Sequence, residues 1–118
     1  MTALLENIFA TIDRKDAAGF AAFLHPNCRF RFGNEAEVIG VDAAEAYVAA
    51  FFDSIDALSH DLVMSELAGN NLWCHGFVTY TRKDGSTLRV PVANYMHVHD
   101  NGKLDEYLIF IDTSKLSA

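Results

Sequence analysis

An α+β fold, with three N-terminal helices on the concave side of a strongly curved antiparallel sheet, is predicted by three features of this 118-residue chain. Apolar residues recur at three- and four-residue helical steps through most of the first half. Beyond Ser59 they fall into strand-like runs separated by "AGNN", "RKDGS" and "DNG", whose Asn-Gly and Asp-Gly type pairs tolerate the positive φ that tight hairpins need. Gly76 and Pro91 interrupt two of those runs, as residues of this kind do at bulges and edges, so the sheet is expected to bend there.

The elements follow in order. "TALLENIFATID" places Leu5, Ile8, Phe9 and Ile12 on one helical stripe. "DAAGFAAFLHP" reads as a second, short helix capped by Asp16, ended by Pro26 and carrying Phe20, Phe23 and Leu24; the two helices are expected to pack as a hairpin. "CRFRF" alternates Arg29 and Arg31 with Phe30 and Phe32, which predicts a strand with its phenylalanines inward. A third helix starts in "GVDAAEAYVAAFFDSI", where Asp42 and Glu45 have the spacing of a capping-box variant and Tyr47, Val48, Phe51, Phe52 and Ile55 form the inner stripe. "HDLVMSEL", "LWCHGFVTYT", "TLRVPVANYMHVH" and "KLDEYLIFID" then form an antiparallel meander. In the third of these, period-two geometry puts Val92, Asn94, Met96 and Val98 on one face and Ala93, Tyr95, His97 and His99 on the other.

Composition limits the partners. A chain of this length forms one domain, residues 1–118, and buries roughly 65% of its unfolded surface. Nine phenylalanines are enough to fill a core and line a cavity. A formal net charge of −7 argues against nucleic acid and anionic membrane as partners, since both require a basic patch, and arginines 29, 31, 82 and 89 are too scattered to make one. The start lacks the basic, long-apolar pattern of a secretory leader and no apolar run reaches membrane-spanning length, which predicts a cytoplasmic protein. Cys28 and Cys74 lack metal or redox spacing and are expected to be free and buried. No phosphate loop, dinucleotide fingerprint or nucleophile turn occurs, so no cofactor is expected. His97 and His99 share a strand face, but a metal site is not expected there. His60 opens a strand and His25 precedes Pro26 at a helix end, which assigns both to solvent.

The order of elements resembles the nuclear transport factor 2-like superfamily, in particular its SnoaL-like and steroid delta-isomerase-like branch. The resemblance covers nearly the whole chain through "TIDRKDAAGFAAFLHPNCRF", "VIGVDAAEAYVAAFF" and "HVHDNGKLDEYLIFID". It implies a cone with an open wide end. In the steroid isomerases, a tyrosine and a protonated aspartic acid hold the oxyanion while an aspartate takes the proton. Matched to this chain, the tyrosine position falls near Ile8, the base at or next to Phe32 and the oxyanion acid on Asn94, whose amide can donate without a raised pKa.

The same resemblance implies a pocket lined by Phe30, Phe32, Tyr47, Phe51, Phe77, Thr79, Val92, Met96, Ile109 and Ile111. His75 would be the candidate acid or base, with Asn94 or Tyr107 holding an oxygen. Plainer roles stay open to each: Asn94 bonding to backbone or buried water, His75 lying beside Trp73, and Tyr107 packing. Three readings follow. One is a binding protein for a small apolar ligand. Another is a cofactor-free isomerase, cyclase, dehydratase or epoxide hydrolase, and the third is a structural or adaptor module. Tyr95, His97, Val78, Tyr80 and Leu108 are expected on the convex face, where they predict a two-fold homodimer.

Overall fold

The computed structural model describes residues 2–116. Helix α1 (Thr2–Asp13) and the short α2 (Ala17–Ala21) come first, followed by strand β1 (Leu24–Phe32), the two-residue β2 (Val38–Ile39) and helix α3 (Val41–Asp53). Strands β3 (Ala57–Ala68), β4 (Asn71–Thr81), β5 (Thr87–Val98) and β6 (Leu104–Ile111) complete a six-stranded sheet in the order β2-β1-β6-β5-β4-β3. All neighbours pair antiparallel except β1 and β6, which run parallel. The α+β architecture is therefore the one expected, with the first strand added to the meander through β6.

Local details follow from individual residues. Asp16 caps α2 by accepting a 2.9 Å bond from the Gly19 amide. That helix ends sooner than Pro26 suggests, and Phe23 and Leu24 lie beyond it. Gly40, with φ +99°, is the N-cap of α3 and no side chain caps the helix, so the expected Asp42 and Glu45 capping box is not formed. The apolar stripe of α1 is buried at Leu5, Ile8, Phe9 and Ile12, and Val48, Phe52 and Ile55 bury the inner side of α3 and the turn after it.

Curvature can be read from what the sheet encloses. Five strands from β1 to β3, spaced ~4.8 Å apart, would hold the outer two ~19 Å apart if flat. Instead Phe30 and Phe32 of β1 and Leu58 and His60 of β3 line one cavity with residues of all three helices. A bulge helps, because Val63 has no partner between the Leu62–Gly76 and Met64–His75 pairs. Gly76 is required there: a Cβ on it would stand 2.1 Å from the Asp61 carbonyl oxygen and 2.8 Å from Leu62 Cα. No helix among the described residues is long and apolar enough to cross a membrane.

Candidate functional site

The cavity is the interior of the cone. Its wall is mostly aromatic and aliphatic: Phe9, Ile12 and Phe20 from the first two helices, Tyr47, Val48, Phe51 and Phe52 from α3, and Phe30, Phe32, Val92 and Ile109 from the sheet. Asn94, Tyr107, Tyr80 and His60 are its further polar members. The cavity holds about 50 Å³, several times the ~10–15 Å³ that one water needs. Phe32, Tyr47 and Phe51 also face a wider vestibule of about 500 Å³ at the mouth of the cone. There Arg82 donates to the carbonyls of Lys115 and Leu116 at 2.8 and 2.9 Å, tying the C-terminal segment across one side.

Eight of the thirteen residues expected at the site line the cavity: Phe30, Phe32, Tyr47, Phe51, Val92, Asn94, Tyr107 and Ile109. Met96 and Ile111 share their wall through the pairs Met96–Tyr107 and Val92–Ile111, but do not reach the space itself. The other three, His75, Phe77 and Thr79, lie on the opposite face. Cys74 pairs with Asn94, so the inward residues of β4 are Leu72, Cys74, Gly76, Val78 and Tyr80, and His75 pairs with Ala93 outside. Val78 and Tyr80, expected on the convex face, are consequently buried inside the cone.

Asn94 is 2% exposed in this apolar setting, and the hydrogen bond its amide forms is a 3.7 Å contact from Nδ2 to the Cys74 sulfur, a weak acceptor. Tyr107 is fully buried and its hydroxyl has no hydrogen-bond partner. Burial raises the Tyr107 hydroxyl well above its ordinary range, and the neighbouring Cys74 and Cys28 thiols add to the shift. The Tyr80 phenol is also raised by burial. Both tyrosines therefore face the cavity as neutral hydroxyls. Burial, followed by Asp105 and Glu106, pushes the Cys28 thiol up to about 12, which leaves it unreactive at neutral pH.

The structure adds a site that the sequence reading assigned to solvent. His60 has only 9% of its side chain exposed, and its Nδ1 lies 2.7 Å from Asp13 Oδ1. The other carboxylate oxygen accepts the His60 backbone amide at 3.0 Å. Asp13 ends α1, so the last turn of that helix is what orients the ring, while Phe9 from the preceding turn packs on it at 4.7 Å. Outside the cone, His97 makes a similar 2.6 Å contact with Asp105 with 37% of its side chain exposed. Among the described residues no group of three or more histidine, cysteine, aspartate or glutamate side chains could hold a metal ion.

The architecture is shared widely. With 17% identity and a TM-score of 0.85, the chain is similar to a candidate polyketide cyclase from Xanthomonas campestris pv. campestris, over 98% of this chain and 92% of that one. An NTF2-like protein of unknown function from Burkholderia pseudomallei matches at 16% identity and TM-score 0.85, over the same shares of the two chains, 98% and 92%. A protein of ketosteroid isomerase-like fold from Catenulispora acidiphila, solved with trimethylamine, matches at 10% identity and TM-score 0.81 over 90% of this chain and 82% of that one. No curated protein matches the chain. Residues 5–107 match the SnoaL-like domain, and the chain belongs to that family.

Proposed function

We propose that the cone binds a small, mostly apolar organic molecule bearing at least one hydrogen-bonding oxygen. The observation that carries this reading is Asn94, an almost wholly buried amide in an apolar cavity whose protein partner is a sulfur atom. A buried polar group left without a good partner costs about 1–3 kcal/mol. A ligand oxygen or hydroxyl would supply that partner. The Tyr107 hydroxyl, fully buried without a partner, supports the same reading. So does a neighbour of this fold, a candidate polyketide cyclase. The inner volume favours a compact molecule, and half-buried Tyr47 and Phe51 at the vestibule are the side chains that must turn to admit a longer one.

The test is a titration of isotope-labelled protein with small cyclic ketones, lactones and alcohols, followed through the Asn94 side-chain amide resonance. Saturable shifts are expected for at least one class. Asn94→Leu is expected to weaken binding at least tenfold, about 1.4 kcal/mol, while leaving the melting temperature unchanged or raised, because the amide contributes little to the folded chain alone. Equal affinity in the variant would remove Asn94 from the site. A flat titration across the whole panel would remove the pocket.

A further inference from the structure

We propose that the vestibule is a second subsite, for an alkyl chain carried by the bound molecule, and that residues 112–116 are a strap, latched by Arg82, which such a chain must lift. The proposal rests on the binding reading above and deepens it, because it names the class of ligand: a compact oxygen-bearing head with an aliphatic tail.

The inner cavity and the vestibule share Phe32, Tyr47 and Phe51. Phe32 lies 4.8 Å from Phe51 and 6.3 Å from Tyr47, so these rings are at once the roof of the first space and the floor of the second. The inner volume of about 50 Å³ suits the head beside Asn94 and leaves no room for a chain, which the 500 Å³ beyond the rings can take. A tail passing between the rings would be buried on their outer surface. The charged side chains at the rim, Glu35, Lys83 and Asp84, are exposed, so apolar surface is confined to the floor and to the side where Leu116 stands.

That side is the strap. Ile111 ends β6 and is its last residue paired with β5. Beyond it the chain makes local bonds, Asp112 accepting the Ser114 amide and the Leu116 amide donating to the Thr113 carbonyl, both at 2.9 Å. Among the described residues, the hydrogen bonds that join this segment to the rest of the molecule are the two from Arg82 to the Lys115 and Leu116 carbonyls. Held in this way, Leu116 lines the vestibule and packs against the core, so an apolar side chain of the protein itself occupies the place a tail would take. Behind the strap, Asp112, Ser114 and Lys115 border another hollow of about 260 Å³ with Val90 and Pro91. A segment with space on both sides and one guanidinium for a tie can turn at its base without disturbing a strand.

The fixed half of the latch is on the β4–β5 hairpin, where Arg82 Nη1 also donates to Ser86 Oγ at 3.1 Å. Its two acceptors on the strap are backbone carbonyls, which water can satisfy once the strap lifts. A compact ligand leaves the strap shut. A tailed ligand exchanges the Leu116 contact for its own and must break the latch, so Arg82 sets the length of molecule that the cone prefers.

Cyclopentanone and 2-pentylcyclopentanone, which share one head, are the probes, each titrated into isotope-labelled protein. Both are expected to shift the Asn94 side-chain amide of the wild type, and the pentyl ketone alone should also shift the Leu116 methyl resonances saturably, a readout independent of any variant's folding. Arg82→Ala and a chain ended after Asp112 should each bind the pentyl ketone at least about fivefold more tightly, with cyclopentanone affinity kept within about twofold as the sign of an intact cone. Equal or weaker binding of the pentyl ketone in both variants would overturn the strap. So would a bound pentyl ketone that leaves Leu116 unmoved, or one that fails to bind where cyclopentanone does, and in each of these cases the inner pocket would stand. Absence of binding by either ketone would overturn both readings.

Discussion

Tyr107 shows how a single residue can be buried at some expense to the fold. Its ring packs edge-on against Phe20 at 5.2 Å and lies 6.0 Å from Phe30, but its hydroxyl has no partner. Removing that oxygen recovers its desolvation penalty and sacrifices no hydrogen bond. Tyr107→Phe is therefore expected to keep or raise stability at pH 7, by up to about 1 kcal/mol, in denaturant titrations. Alkaline pH gives a second readout. The folded-state pKa of Tyr107 is raised above the unfolded value near 10, so its contribution is complete below ~pH 10 and is lost as the unfolded chain releases its proton above that. Wild-type stability should fall with rising pH beyond that point. The variant should fall less steeply, retaining the slope due to Tyr80 and the two raised thiols. A variant that is clearly less stable at pH 7 would mean that the hydroxyl has a partner after all.

At the scale of elements, the strands were legible and the phase of two of them was not. The apolar stripe of α1, the Asp16 cap and the inward Phe30, Phe32 and Asn94 all follow from spacing, and the structure places them there. In β4, however, both faces hold large apolar groups, Leu72, Val78 and Tyr80 on one side and Trp73 and Phe77 on the other, so alternation alone cannot choose between them. The hairpin could have decided it: with Thr81 opposite Thr87 across "RKDGS", counting back puts Cys74, not His75, opposite Asn94. No such count reaches His60. From the Ala68–Asn71 turn the parity holds only to Met64, and the unpaired Val63 then reverses which residues of β3 face the cone. Gly76→Ala tests that device, since the new Cβ would collide with backbone at Asp61 and Leu62. A loss of at least about 2 kcal/mol is expected in denaturant unfolding, together with altered His60 resonances, because the bulge orients that ring. Unchanged His60 resonances in a destabilised variant would show that Asp13 alone fixes the ring.

For the whole molecule, the sheet has two unlike faces and the helices cover only one. On the convex side Trp73 lies 4.8 Å from Tyr95 and 6.2 Å from Phe110, and Trp73 and Phe110 are 46% and 43% exposed. Arg31 sits over Phe110 and Arg89 over Phe77, while the pairing registers put Glu66 and Glu106 on the same face. We propose a second copy of the chain as the partner of this face, because its aromatic centre and charges of both signs suit pairing about a two-fold axis. The members differ from those the sequence suggested, because Val78 and Tyr80 point inward and Trp73, His75 and Phe77 take their place. Two chains of net charge −7 repel each other at long range, and physiological salt screens that repulsion within about 8 Å while leaving the apolar contact intact. Association measured by sedimentation velocity should therefore tighten as salt rises from low to physiological concentration, and Trp73→Glu should abolish it. A wild-type chain that sediments as a 13.1 kDa species at all concentrations and salts would refute the dimer. The same variant also tests whether the two faces are independent. Trp73 points away from the cone, so Trp73→Glu should bind ligand as well as the wild type does. Should binding fail along with association, the shape of the cavity would have to depend on the partner pressing on the back of the sheet.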